Sequence, residues 1–138
     1  TGTTDKFKGL TAGQRAVEIA DGKTSNFFLD TFGRSMRETV CACETETSPG
    51  LIQSLHLING DTLKAKIAGG GIVAGMIAQN QDDAAIINEL YLRALQRHPT
   101  PGEQSSLLAE VAAADHRREI LEDVFWAILN SREFILNH

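Results

Sequence analysis

Two cysteines, two positions apart, are the side chains of this 138-residue chain best suited to metal or redox chemistry. Cys41 and Cys43 could pack as small buried thiols, form a disulfide, or bind a metal ion with Glu44, His56 or His138. A disulfide would be strained, because α-carbons two apart in an extended segment lie about 6.6 Å from each other, near the limit for bridging. A metal site needs two further ligands, and the spacing is not the usual C-x-x-C. We therefore favour packing thiols, with the disulfide and the metal site as alternatives.

Charged side chains surround these thiols in the sequence: Arg34, Arg37, Glu38, Glu44 and Glu46. Two neighbouring carboxylates could serve as general acid and base if burial separated their pKa values. We prefer a structural interpretation, in which one of the two arginines binds a carboxylate or backbone carbonyls and clamps the turn. Arginine suits such a clamp because its planar guanidinium can hold two acceptors at once.

The remaining composition narrows the classes of function. The chain contains no G-x-S-x-G, H-E-x-x-H or C-x-x-C-H, so it lacks the motifs typical of hydrolases, zincins and c-type haem proteins. We predict no cofactor. The net charge is −5, with both signs interleaved, which argues against a nucleic-acid surface. No apolar run is long enough for a membrane span. These observations leave open whether the protein is an enzyme, and the lack of a catalytic motif favours one that is not.

A buried helix over 49–59 is the element that would position the cysteine segment. Ser48 is a favourable N-cap, Pro49 suits the first helical position, and Gly60 is a favourable left-handed C-cap. A helix that is apolar on most sides belongs in the interior of a protein. We expect it to be central, with three residues almost wholly buried: Leu51, Leu55 and Ile58.

Amphipathic helices follow this element. A short helix starts at Asp61, and a glycine run at 69–71 is expected to form a flexible connection to a helix over 72–79. Asp82 caps the next helix, whose apolar positions follow the helical period. Those positions are Ile87, Leu90, Tyr91, Ala94 and Leu95.

Two further helices complete the pattern. Thr100 and Glu103 form a capping box around Pro101 and start one of them. Asp115 is expected to start the last and longest helix. Its inward stripe comprises Leu121, Val124, Phe125, Ile128 and Leu129, with Phe134 and Ile135 as a possible continuation.

These elements together predict an all-α protein. We expect a compact bundle of about five to six helices around the central helix at 49–59, in a single domain over 1–138. Residues 1–26 form an irregular, extended arm with a short strand at 15–19, and residues 27–138 form the helical body. Because the sequence lacks an initiator methionine, we interpret the chain as part of a larger protein.

Four motifs, in order, carry a resemblance to a known family. They are FLDTFGRSMRETVCACE, SPGLIQSLHLINGDTL, ELYLRALQRHPTPGE and LEDVFWAILNSREFILNH, preceded by the lead-in GLTAGQRAVEIADG. The chain resembles the C-terminal domain of unknown function in large planctomycete proteins that also carry planctomycete cytochrome-c-type modules. One departure is Ser35-Met36, where the family more often has proline after Phe-Gly-Arg, and this leaves the local shape of the turn open.

The resemblance implies an exported protein, located in the periplasm or outside the cell. It implies partners among the other domains of the same polypeptide or among cell-envelope proteins. It transfers neither haem, whose attachment motif belongs to a separate module, nor any catalytic residue. The function we expect is a non-catalytic structural or interaction domain. The alternative is a metal-dependent or redox-active domain centred on Cys41, Cys43 and Glu44.

Overall fold

Residues 1–4, 6–7, 11–15, 18–19, 29 and 61–135 are described by a computed structural model of the protein. The chain divides into two compact units. The first consists of Thr1–Thr3 together with Asp61–His138, and the second consists of Thr4–Gly60.

The first unit is an all-α bundle, which confirms the predicted fold class. Within 61–135 no residue lies in a β-strand. The helices in this range are α1 (Asp61–Gly70), α2 (Ile72–Ala78), α3 (Asp83–Leu95), α4 (Pro101–Ala113), α5 (Arg117–Leu129) and α6 (Arg132–Ile135). None of the described helices is both long enough and apolar enough to pass through a bilayer.

The predicted helix starts at Asp82 and Thr100 are confirmed in atomic detail. The Asp82 carboxylate accepts a hydrogen bond of 2.6 Å from the backbone N–H of Ala85, which satisfies an otherwise unpaired donor of α3. At α4, the Thr100 hydroxyl accepts from the N–H of Glu103, and the Glu103 carboxylate accepts from the N–H of Thr100. This is the complete capping box that the sequence predicts.

Helix α5 organises the described bundle, because it packs against α1, α2, α3, α4 and α6. Its buried residues recur at the spacing of one helical face, as predicted. They are Leu121, Val124, Phe125, Ile128 and Leu129. The facing stripe of α3 consists of Ile86, Ile87, Leu90, Tyr91 and Leu95. The most deeply buried members, Ile86, Ile87, Leu90 and Leu121, have no exposed surface.

The end of the last predicted helix differs from the expectation. Helix α5 begins at Arg117 instead of Asp115, and its 13 residues equal the lengths of α3 and α4, so it is not the longest. It ends at Leu129. The Ser131 hydroxyl then accepts a hydrogen bond from the backbone N–H of Phe134, and this bond caps the start of the separate short helix α6. Phe134 and Ile135 are therefore not a continuation of the buried stripe, since each is 39% exposed.

The glycine connection is shorter than predicted. The first two glycines of the run lie inside α1, and only Gly71 separates α1 from α2. Gly71 has a φ of 65° in the left-handed region, which glycine adopts without steric cost. The chain thus turns between two helices at one residue.

The second unit is described at a few positions only. The strand predicted at 15–19 is wrong, because the backbone N–H of Glu18 donates to the carbonyl of Arg15 at 3.0 Å and closes a turn. The Glu18 carboxylate accepts from the N–H of Arg15 at 2.7 Å and reinforces that turn. Phe7 and Ile19 are buried. The helix predicted over 49–59, with Leu51, Leu55 and Ile58, lies outside the described residues.

Candidate functional site

The densest polar constellation of the described residues is centred on Arg97, just beyond α3. Gln96, the C-cap of α3, has a left-handed φ of 56° and turns the chain there. The Arg97 guanidinium donates two hydrogen bonds to Glu133, at 2.6 and 2.7 Å, and two to Glu103, at 2.9 and 3.0 Å. A fifth, of 3.0 Å, goes to the carbonyl of His98. We call Arg97, Glu103 and Glu133 the Arg97 cluster.

The Arg97 cluster is assembled from three separate elements. Glu103 comes from the first turn of α4, where the capping box fixes its carboxylate. Glu133 comes from α6, and Arg97 itself comes from the connection between α3 and α4. Beside the cluster, the Arg97 guanidinium carbon lies 5.2 Å from the centre of the Tyr91 ring, a distance typical of a cation–π contact. The arginine therefore joins the end of α3, the start of α4 and α6.

Hydrogen bonding within the cluster keeps both carboxylates ionised. The Arg97 guanidinium, followed by the backbone N–H of Thr100, lowers the pKa of Glu103 from 4.5 to about 2. Hydrogen bonds from Arg97 also lower the pKa of Glu133. Burial, followed by the nearby Glu103 charge, raises the pKa of Tyr91. Both carboxylates are consequently charged throughout the physiological pH range.

The chemistry open to Arg97 is decided by its donor count. A guanidinium has five N–H donors and no acceptor. All five make a hydrogen bond inside the protein. None remains to bind a phosphate or carboxylate ligand. The arrangement therefore acts as a structural clamp.

A second arginine ties the start of α5 to the start of α3. Arg117 donates to the Asp83 carboxylate at 2.7 Å and to the carbonyl of Gln81 at 2.8 Å. Neighbouring Arg118 pairs with Glu122 one turn later on the same helix, at 2.7 Å. Such exposed pairs along one helix contribute a few tenths of a kcal/mol each. Arg117 thus links α5 to α3, and Arg118 stabilises α5 itself.

Two open depressions lie beside α5. One, of about 530 Å³, is lined by residues at its start, including His116 and the two paired arginines, Arg117 and Arg118. The other, of about 240 Å³, lies between α1 and α5 and is lined by Lys64 and Trp126, among others. The Lys64 ammonium lies 5.5 Å from the centre of the Trp126 ring, so cation and indole already contact each other.

The site residues predicted from the sequence all lie in a segment outside the described residues. This holds for the metal candidates Cys41, Cys43, Glu44 and His56, and for the clamp candidates Arg34, Arg37 and Glu38. His138 is likewise outside them. Among the residues that the structure does describe, no three metal-ligating side chains come together. The predictions for the cysteine segment therefore remain predictions.

Sequence reasoning did not identify the Arg97 cluster. It found Glu103 only as a helix cap, although that role places a carboxylate beside the loop that carries Arg97. Glu133 lies 36 residues from Arg97, and no local pattern links such distant positions.

No protein-family model matches this chain, and neither a curated protein nor a solved structure is similar to it at a significant level. The resemblance to the planctomycete domain stays a hypothesis based on its four motifs.

Proposed function

We propose that this chain is a non-catalytic interaction domain of a larger exported protein, and that α6 contributes to its contact surface. The observation that carries the proposal is the placement of two large apolar side chains on a clamped helix. Phe134 and Ile135 are each 39% exposed, while Glu133 beside them is held by two hydrogen bonds from Arg97.

The clamp supports this proposal because α6 is too short to be stable alone. A helix of four residues does not offset the cost of its own nucleation. Its position therefore depends on α3 and α5, which pack against it, and on the pairing of Arg97 with Glu133. Aromatic side chains held in a fixed position contribute strongly to protein interfaces.

The partner that we propose is another part of the same polypeptide. The family that the chain resembles consists of large, exported, multidomain proteins, so a neighbouring domain is the natural contact for this surface. Export and a periplasmic or extracellular location are part of the proposal.

Hydrogen exchange measured by mass spectrometry tests this function. We would compare the 138-residue chain with the longer polypeptide that contains it. We expect slower exchange at 132–135 in the longer polypeptide, because a contact would exclude water from α6, and unchanged exchange in α4. Equal exchange at 132–135 in both proteins would contradict the proposal.

The alternative function, a metal-dependent or redox-active domain at Cys41, Cys43, Glu44 and His56, rests on the sequence. Metal analysis of protein purified without chelator, with a Cys41→Ser/Cys43→Ser variant as control, separates the two functions. Stoichiometric metal in the wild type and its loss in the variant would favour the alternative. We expect no stoichiometric metal, and we expect the double variant to lose only some stability, because two hydroxyls would replace thiols that we propose to be packing residues.

A further inference from the structure

The first three residues belong to the helical unit, although residues 4–60 separate them from α1 in the sequence. Their backbone crosses α1 at Gly70. A β-carbon built on Gly70 would lie only 1.8 Å from the Thr1 carbonyl oxygen. A β-carbon on Gly2 would lie 2.9 Å from the Gly70 carbonyl oxygen. Gly70 therefore makes room for the backbone of Thr1 and Thr3, and Gly2 makes room for the backbone of Gly70.

The backbone conformation at position 2 also requires glycine. Its φ of 86° lies in the left-handed region, which glycine adopts easily and other residues rarely adopt. Next to it, the hydroxyl groups of Thr1 and Thr3 are hydrogen-bonded to each other at 2.9 Å. A β-carbon on Gly2 would also lie 3.2 Å from the Cγ1 atom of Ile72 in α2. The segment is thus fitted to the junction of α1 and α2.

The geometry points to a conformational device: Thr1–Thr3 act as a strap that fastens the start of 4–60 to the helical unit. The chain enters 4–60 directly after the strap and leaves it directly before α1. Fastening both ends of a segment to one body restricts the conformations open to it, and releasing one end restores them. None of the three strap residues is fully buried, since Gly2 is exposed and Thr1 and Thr3 are half-buried, so the strap can open while the bundle stays folded.

Replacing Gly70 with alanine tests this inference. Gly75→Ala, in α2, is the matched control, because a β-carbon there meets no atom within 4 Å. The readout is a pair of nuclear Overhauser effects in the full 138-residue chain. One joins the Gly2 α-protons to the Ile72 δ-methyl, and the other joins the Thr3 γ-methyl to the Gly69 α-protons.

We expect both nuclear Overhauser effects in the wild type and in Gly75→Ala. In Gly70→Ala we expect both to be lost, while the chemical shifts of the core methyl groups of α5 stay unchanged and show that the bundle is folded. Retention of both effects in Gly70→Ala would overturn the inference. If Gly70→Ala unfolds the bundle, Gly2→Ala tests the same contact, because it adds a β-carbon to the strap instead of to α1. Loss of the Thr3–Gly69 effect in a folded Gly2→Ala bundle supports the strap, and its retention overturns it.

Discussion

Arg97 joins three of the six helices in 61–135. Its five donors are all satisfied by Glu103, Glu133 and the carbonyl of His98, so it connects α3, α4 and α6 through one side chain. The planar guanidinium makes this possible because it can hold two carboxylates side by side, each through two hydrogen bonds. A lysine at the same position would offer three donors from a single nitrogen atom.

The pH dependence of stability is predicted from Glu103. Because its pKa falls from 4.5 to about 2 in the folded protein, the ionised carboxylate stabilises the fold above pH 4.5. That contribution is lost as the pH falls from 4.5 through about 2. Glu103→Gln keeps an acceptor for the capping box and removes the charge. We expect the difference in melting temperature between wild type and variant to be constant from pH 6 to 7 and to shrink below pH 4.5.

A difference that stays constant down to pH 2.5 would contradict the role assigned to the Glu103 charge. Glu89→Gln is the control, since Glu89 pairs with Arg93 on the surface of one helix. It is expected to change the melting temperature little at any pH.

Replacement of Arg97 by lysine tests the clamp itself. We expect Arg97→Lys to lower the melting temperature more than Arg93→Lys, because Arg93 makes a single ion pair within α3 whereas Arg97 links separate elements. Thermal unfolding followed by circular dichroism measures both. Equal small effects from the two substitutions would show that the clamp does not stabilise the fold.

At the scale of elements, α5 is the helix against which the other described helices pack. Leu121 is the first residue of its buried stripe and has no exposed surface. We expect Leu121→Ala to lower the free energy of unfolding by about 2–5 kcal/mol, through lost burial and a residual cavity. Urea denaturation is the measurement.

Ile135→Ala provides the comparison for this prediction, because it also truncates an aliphatic side chain but at a position that is 39% exposed. Its expected effect is within about 0.5 kcal/mol, as for most surface substitutions. Similar losses at both positions would show that α5 is not the centre of this unit.

The sequence was informative about elements wherever the signal was local. The caps at Asp82 and Thr100, and the apolar spacing of α3 and α5, each depend on residues within one or two turns. The end of α5 was misjudged because Ser131 starts a new helix inside what looked like a continuing stripe. The Arg97–Glu133 pair could not be predicted, since only the packing of α3, α5 and α6 brings its two residues together.

At the scale of the whole molecule, the chain forms two compact units, and the helical one combines residues from both sides of 4–60. The sequence places its candidate chemistry in 4–60, whereas the described bundle contributes a packed core, an arginine clamp and an exposed apolar pair. The prediction of a single domain over 1–138 is not tested by this division. We propose that the bundle supports contacts with the rest of a larger polypeptide.

The most direct test of this proposal is isothermal titration calorimetry of the 138-residue chain against the separately produced remainder of the proposed longer polypeptide. Three proteins would be compared: the wild type, Phe134→Ser/Ile135→Ser, and the control Ala112→Ser/Ala113→Ser at two exposed positions of α4. We predict that wild type and control bind with the same Kd, and that the α6 variant binds at least about tenfold more weakly, because it loses an aromatic contact at the interface. Binding of the α6 variant with the wild-type Kd, or no binding by the wild type, would contradict the account.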